Sequence, residues 1–394
     1  MSKAKRKYTG RCIRFVKSLN MPIRNVLSVM PDGFTAHDFV LEFKVIYPYF
    51  WIDICEMSKD YRRRDNILKK KNLPRRYNFP APETWLIGVI RSRIRNKMFC
   101  ENLRLPPQER TAFRKELIEK GKEKLASREK KLKKRMETKQ NITPSWTNYY
   151  IKTYFDVKKK RPLDVDTRFA VLYEASKYKS PITIKFLYKV NASERNYYLR
   201  EFAFRALQNF GEKNIFLRKN RKGKKRAGDK VVPIKIETPD ELINFIYKSE
   251  IEHMKTYDLF LSHSCKDREE LLKLKIILNH SNINIYVDWV NDVGALKREL
   301  ANVNTARAII ERMNESKALL FVFTESSFES KWTLWELGYF HAKKGKICVY
   351  NPDGLEMTEY FEIYPKAILR DGSFYVECNA QEIPINQWIE NGNK

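Results

Sequence analysis

A glutamate among large apolar residues near the C-terminus is the first residue whose position suggests chemistry. Glu336 lies in the stretch WTLWELGYF, and Trp332 precedes it by four residues. A carboxylate in such surroundings is costly unless it faces a cleft, and carboxylates in clefts are often functional. Residues four apart share one face of a helix, so Trp332 and Glu336 are expected to face the same cleft. The alternative is that Glu336 is a solvated helix residue.

Polar residues also stand at the ends of two apolar runs upstream of Glu336. Ser262 and His263 end the first run, and Asp288 ends the second. In parallel sheets, ligands bind outside the carboxyl ends of the strands, so these side chains are expected to line one mouth. His263 can equally hydrogen-bond a loop, and Asp288 can equally cap a strand or loop. Trp289 is predicted to pack rather than to contact a ligand.

Four short apolar runs alternate with helical patterns in the last third of the chain. This alternation predicts βαβ units and a parallel sheet with helices on both faces. The expected fold of this region is therefore α/β and flavodoxin-like. The expected strands are YDLFLS (257–262), INIYVDW (283–289), ALLFVFT (318–324) and KICVY (346–350).

These elements carry motifs that resemble the TIR (Toll/interleukin receptor) family, particularly its bacterial members. The motifs stand in family order and with family spacing within residues 255–394, and the resemblance covers none of residues 1–250. The matching segments are YDLFLSHSCKD (257–267), IYVDW (285–289), MNESKALLFVFTESSFESKW (313–332) and WELGYF (335–340).

The resemblance implies cleavage of NAD⁺ at the nicotinamide–ribose bond, by hydrolysis or by cyclisation. Glu336 takes the position of the family's catalytic glutamate, and Trp332 can stack on the nicotinamide or exclude water. Ser262, His263 and Asp288 are the other expected NAD⁺-binding residues. NAD⁺ is the substrate, and neither a cofactor nor a metal is expected. Nicotinamide leaves as a neutral base, so no general acid is needed and one carboxylate can stabilise the oxocarbenium-like ribose.

The segment after the second run departs from the family pattern. Many TIR domains carry here a longer loop that orders when domains stack, whereas NDVGALKRELANVN (291–304) has one glycine and no proline. The mode of assembly is therefore open, although the resemblance implies homo-oligomers formed through TIR domains on activation. The complete alternation of strands and helices predicts that residues 255–394 fold alone.

Charge is distributed unevenly along the chain. Residues 255–394 contain 17 Lys and Arg against 20 Asp and Glu, a net charge of −3. Because the whole chain carries +29, residues 1–254 carry a net charge of +32. Such a segment attracts phosphates, in nucleic acid or on an anionic membrane surface, unless the charge serves only solubility. The six cysteines form no CxxC pair, which argues against a zinc site and a disulfide framework. With neither a membrane-spanning run nor a secretory signal in sight, a cytoplasmic location is expected.

The region before the TIR-like part is predicted to be mostly helical, in three segments. Residues 1–105 form a basic helical domain, either a helix-turn-helix reader of nucleic acid around a basic turn at 62–76 or a plain bundle. Residues 106–160 form a long charged helix and linker. Residues 161–250 are helical, as a faint repeat or as a bundle, with an exposed basic loop from Arg218 to Lys230. The TIR-like domain occupies 255–394.

The function expected from these patterns is that of a prokaryotic immune-type, antiphage effector. Its TIR domain would deplete NAD⁺ or produce a cyclic ADP-ribose signal once the N-terminal region senses nucleic acid or a phage-derived trigger. One alternative is a non-catalytic TIR adaptor. Another is a basic nucleic-acid-binding protein with an accessory TIR domain.

Overall fold

The computed structural model describes residues 3–155, 164–213, 215–217, 236–292, 294–296, 298–378 and 381–391. The chain divides into two compact units, Met1–Lys133 and Lys134–Lys394. The four predicted domains and their boundaries stay a prediction. The basic loop predicted from Arg218 to Lys230 lies outside the described residues.

The first unit is helical throughout its described residues. Its apolar core is formed mainly by the second, third and fifth helices, each of which has a buried apolar face. The helices are α1 (Lys3–Ser18), α2 (Asn20–Val29), α3 (Ala36–Ile46), α4 (Pro48–Lys69), α5 (Pro82–Arg95), α6 (Lys97–Leu103) and α7 (Pro107–Glu137), the last of which ends within the second unit.

Local sequence signals explain where these helices begin and end. A capping box starts α3, in which the Thr35 hydroxyl accepts the Asp38 N–H at 3.2 Å and Asp38 accepts the Thr35 N–H at 2.8 Å. The long charged helix predicted from residue 106 is confirmed as α7. The basic turn predicted at 62–76 is wrong in its first half, because α4 continues to Lys69. The helix-turn-helix interpretation stays a prediction.

The second unit begins with helices and continues into a sheet. Three successive helices within residues 165–209 occupy the region where a helical repeat was predicted, and the repeat interpretation stays untested. The helices are α8 (Thr147–Tyr154), α9 (Val165–Ala175), α10 (Pro181–Ser193), α11 (Tyr197–Asn209) and α12 (Pro239–Lys248).

The sheet has seven strands in the order β2-β1-β3-β4-β5-β6-β7. The first five are mutually parallel, as the α/β prediction required, whereas β5, β6 and β7 pair antiparallel. The predicted α/β fold is confirmed, and the two antiparallel strands β6 and β7 extend the predicted parallel sheet at one side. The strands are β1 (Tyr257–Ser262), β2 (Ile285–Tyr286), β3 (Ser316–Val322), β4 (Ile347–Tyr350), β5 (Lys366–Arg370), β6 (Ser373–Cys378) and β7 (Gln381–Pro384).

Helices connect β1 to β2, β2 to β3 and β3 to β4, whereas the connection from β4 to β5 contains only a short 3-10 helix, Glu359–Phe361. The prediction of a strand over 283–289 is wrong for the last residues of this run, because a short helix begins at Asp288. Only Ile285 and Tyr286 pair with β1. The helices are α13 (Arg268–His280), α14 (Asp288–Asn291), α15 (Val303–Asn314), α16 (Glu325–Phe328), α17 (Lys331–Lys343) and α18 (Ile385–Glu390). Within the described residues, no helix is both long enough and apolar enough to cross a membrane.

Alternate residues of the central strands face opposite layers, as the two-residue period of a strand requires. In β3, Leu319 and Phe321 share a core with α15 and α17 and also with α8–α11, which precede the sheet in sequence. Leu320 and Val322 face α13 and α18 instead. The helices α8–α11 and the sheet are therefore built around one continuous core.

Candidate active site

Glu336 lies on α17 and faces the carboxyl end of β1. Its residue is 9% exposed, and its Oε2 accepts a hydrogen bond of 2.6 Å from the hydroxyl of Ser262, the last residue of β1. Ser262 itself is fully buried. Two residues 74 positions apart thus meet because the strand end and the helix after β3 converge at the same edge of the sheet.

Burial raises the pKa of the Glu336 carboxyl to about 7. The Ser262 hydrogen bond and the nearby His263 act in the opposite direction, since both favour the carboxylate, while Asp288 adds to the rise. A group with a pKa near neutrality can exist as a carboxylate and can also take up a proton. Both abilities are useful in cleaving a glycosidic bond.

His263 is held between two acceptors. Its Nδ1 lies 2.9 Å from the Leu261 carbonyl oxygen, and its Nε2 lies 3.4 Å from Oδ1 of Asp288. Burial disfavours the imidazolium, but the hydrogen bond and charge of Asp288, the Leu261 carbonyl and Glu336 together raise the pKa of His263. With an acceptor at each ring nitrogen, the doubly protonated ring satisfies the geometry best.

A cavity of about 380 Å³ opens beside α17, and Trp332 forms part of its wall. Trp332 is 39% exposed and packs edge-to-face against Trp335, with ring centroids 5.6 Å apart. Two lysines and one glutamate line the cavity, and within the described residues neither lysine pairs with a carboxylate. The lining residues are Ser264, Lys266, Ala301, Ser326, Glu329, Ser330, Lys331 and Trp332.

The structure thus brings four of the five predicted site residues into direct or electrostatic contact, namely Glu336, Ser262, His263 and Asp288. Trp332, the fifth, lines the neighbouring cavity. Their roles in catalysis and binding stay predictions. Trp289 packs under Arg268, whose guanidinium lies 4.4 Å from the ring centroid, in line with the packing role predicted for it.

The sequence interpretation missed the polar residues that shape the cavity. Asp267 joins the loops after β1 and β3, since its carboxylate accepts the hydroxyls of Thr324 at 2.8 Å and Ser326 at 2.7 Å. Lys266 and Lys331 were also missed. The available signal was their position just after the strand ends, where polar side chains gather around ligands.

The parallel strand order and the buried glutamate facing the first strand define a TIR-type α/β domain. Residues 260–357 match the family model described as the TIR-like domain of Thoeris protein ThsB. A putative cyclic ADP-D-ribose synthase TIR2 of Cytobacillus dafuensis is 33% identical over 345 residues, which cover 85% of this chain and 88% of that protein. A probable 3′ cyclic ADP-D-ribose synthase ThsB′ of Bacillus cereus (strain MSX-D12) is 38% identical over 117 residues, 28% of this chain and 60% of that protein.

The chain therefore belongs to the same TIR family as the Cytobacillus protein, and its residues 260–357 match the TIR-like domain of the Thoeris ThsB type. Its likeness to the Cytobacillus protein extends well beyond the TIR domain, because 85% of the chain includes much of the helical region before β1. In the described part of the chain, no cluster of His, Cys, Asp or Glu is arranged to hold a metal ion.

Proposed function

We propose that this chain is an antiphage effector that cleaves the nicotinamide–ribose bond of NAD⁺ and forms cyclic ADP-ribose, with Glu336 as its catalytic residue. The observation that carries the proposal is the Glu336 carboxylate, buried and held at 2.6 Å by Ser262 one helical turn from Trp332 of the cavity. Support for cyclisation comes from both relatives, each named as a synthase of a cyclic ADP-ribose.

The bond-breaking step needs little from the protein. The C1–N bond of the nicotinamide riboside breaks and its electron pair stays on the pyridine nitrogen, so nicotinamide leaves neutral. The ribose carbon becomes an oxocarbenium ion, which the Glu336 carboxylate stabilises electrostatically. Trp332 stacks on the departing ring and excludes water.

The second step needs a proton acceptor. A hydroxyl of the same molecule's adenosine ribose attacks the oxocarbenium carbon, forms a C–O bond and releases its proton. Glu336 accepts that proton, for which a pKa of about 7 is suitable. Water attacking in place of the hydroxyl gives linear ADP-ribose by the same proton transfer, so exclusion of water from the cavity favours the cyclic product.

The cationic side of the cavity suits the pyrophosphate of NAD⁺. Lys266 and Lys331 both line the cavity, together with Ser264, Ser330 and a single carboxylate, Glu329. Ammonium groups and hydroxyls are ordinary partners of phosphate oxygens. This arrangement would direct the nicotinamide end of the dinucleotide towards Trp332.

The test is a Glu336→Gln variant assayed with NAD⁺, with chromatographic identification of every product. The amide is nearly isosteric but carries no charge, so NAD⁺ loss is expected to fall at least about 100-fold, the scale seen when a group that stabilises developing charge is removed. Glu325→Gln, an exposed glutamate of α16, is the matched control and should keep full activity. Wild-type turnover by Glu336→Gln would refute the assignment of Glu336, whereas the absence of NAD⁺ loss with the activated wild-type protein would favour the adaptor function.

The finer proposal for the N-terminal unit is that it gates the enzyme. Residues 1–133 contain 33 Lys and Arg against 14 Asp and Glu, so copies repel one another until a polyanionic trigger such as nucleic acid neutralises them. TIR domains brought together would then reach a raised effective concentration and assemble as homo-oligomers.

Charge reversal to glutamate at three exposed residues of α4 and its end, Arg62, Lys69 and Lys70, tests this gate. The reversed variant is expected to lose activation by nucleic acid, and a triple glutamine variant is the control that removes charge without reversing it. NAD⁺ consumption across a salt series is the readout. If neither nucleic acid nor charge reversal changes activity or assembly, the trigger is a protein recognised through other surfaces.

A further inference from the structure

The helix α12 lies outside the residues that match the family domain, yet it packs on the loop that connects α14 to α15. Its apolar face consists of Leu242, Ile243 and Ile246, all nearly fully buried. This face shares a core with Ala295 of the loop and Ala308 of α15, both of which are fully buried. Burial of this apolar surface stabilises the middle of the loop against α12.

Asp240, at the start of α12, holds the far end of the same loop. Its carboxylate accepts a hydrogen bond of 2.9 Å from the Asn302 amide and a second hydrogen bond from the Asn304 amide. These two hydrogen bonds hold the pKa of Asp240 below its usual value. Asn302 is also the N-cap of α15, where its side-chain oxygen accepts the Asn304 and Thr305 N–H groups. One carboxylate therefore fixes the residue at which the loop ends and α15 begins.

The near end of the loop is tied to the segment that follows α12. Arg312 is fully buried, and its Nε lies 2.8 Å from Asp292 while its Nη2 lies 2.8 Å from Glu252. Glu252 follows α12 by four residues and is itself buried. Burial alone would raise the pKa of Asp292, but Arg312 holds it below its usual range. A buried charge with several partners is costly to rearrange, so this end of the loop is rigid.

The loop held in this way supplies one wall of the candidate NAD⁺ cavity. Ala301 lines the cavity together with Trp332, and Ala301 immediately precedes Asn302, the residue that Asp240 holds. A shift of Asn302 would therefore move Ala301 and change the width of the cavity beside Trp332. The chemistry at Glu336 would be unaffected, because its partner Ser262 belongs to β1.

We propose that α12 is a clamp that positions this wall, and that Asp240 is a positioning residue for NAD⁺ binding. The inference rests on the proposed NAD⁺ cleavage for its kinetic readout. The consequence is that the segment joining the helical region to the TIR domain controls how well the substrate binds, and leaves the rate of the chemical step alone.

The test compares Asp240→Ala with Glu250→Ala, an exposed glutamate just after α12 whose loss removes the same charge. Without substrate, amide hydrogen exchange over residues 299–304 is expected to accelerate in Asp240→Ala and not in the control. With NAD⁺, the KM of Asp240→Ala is expected to rise about three- to tenfold with kcat within about twofold, the signature of lost ground-state binding. Asp240→Asn retains one acceptor oxygen, so its exchange rate and its KM should lie between those of Asp240→Ala and Glu250→Ala.

Unchanged exchange over residues 299–304 in Asp240→Ala would overturn the clamp. Faster exchange with an unchanged KM would overturn its role in binding, and so would a fall in kcat alone. An inactive wild-type protein would instead contradict the proposed function. In that event the exchange measurement, which needs no substrate, still decides whether Asp240 holds the loop.

Discussion

Substitution of Ser262 tests whether this residue controls the charge of Glu336 or only shapes the site. Removing its hydroxyl with Ser262→Ala deletes the 2.6 Å hydrogen bond to Oε2 and leaves the backbone of β1 in place. The hydrogen bond favours the charged form of Glu336, so its loss must raise the pKa of a carboxyl already at about 7. Activity that depends on the carboxylate should therefore begin at higher pH.

The size of the shift follows from the strength of the bond. A hydrogen bond to a charged group contributes about 1.5–3 kcal/mol, which corresponds to roughly one to two pKa units. At pH 7 the ionised fraction of Glu336 would then fall from about one half to between about one tenth and one hundredth. The expected loss of kcat/KM at pH 7 is about five- to fiftyfold, with recovery towards the wild-type plateau near pH 9.

The assay is NAD⁺ consumption by the activated protein from pH 5.5 to 9.5, with the melting temperature recorded at each pH. The plateau at high pH is the internal control, because Ser262→Ala should approach the wild-type rate there. A uniform loss of activity at all pH values, with no displacement of the acidic limb, would refute the electrostatic argument and would indicate that Ser262 only shapes the site.

Two further predictions follow from burial. The Glu336→Gln variant should be more stable than the wild type at pH 8 by up to about 3 kcal/mol but not at pH 4.5. The folded-state pKa of Glu336, about 7, lies above the ordinary value of 4.5, so the wild type loses stability as pH rises through this interval and the neutral amide avoids the loss. Urea unfolding of both proteins at the two pH values measures the difference in stability. The control Glu325→Gln is expected to show no such trend. Residues 255–394 expressed alone should aggregate, against the expectation from sequence, whereas residues 134–394 should fold. Truncation at residue 255 removes Trp146, whose ring centroid lies 5.8 Å from that of Tyr257. It also removes Glu174, whose carboxylate lies 3.0 Å from the ammonium nitrogen of Lys255. Circular dichroism and size-exclusion chromatography compare the two fragments, and a monomeric, cooperatively unfolding 255–394 would contradict the argument.

The sequence was informative wherever a local pattern determines structure. The strands β1, β3 and β4 were predictable because buried parallel strands are continuous apolar runs. The strands β5 to β7 were not, since they are only partly buried and their apolar runs are shorter. The second apolar run failed as a strand after Tyr286, because Asp288 begins a helix there.

The site was predictable only in part for a similar reason. Glu336 was identified from its apolar surroundings, and Ser262 from its place at a strand end. The contribution of Asp240 depends on which segments meet in three dimensions, and nothing in its local sequence indicates this. Asp240 lies 62 residues from Asn302, in a helix outside residues 260–357, which match the family domain.

The continuous core around Leu319 and Phe321 has a consequence for how such proteins diversify. A TIR domain whose strands share side-chain packing with α8–α11 cannot be exchanged between relatives as a cassette starting at β1, because the donor sheet would meet a foreign apolar surface. The compact unit that contains this core in full is Lys134–Lys394, so we expect a transplant of this whole unit to keep the packing intact. Within this family, exchange of whole segments should therefore replace the first unit, and chimaeras joined near residue 134 are the ones expected to fold.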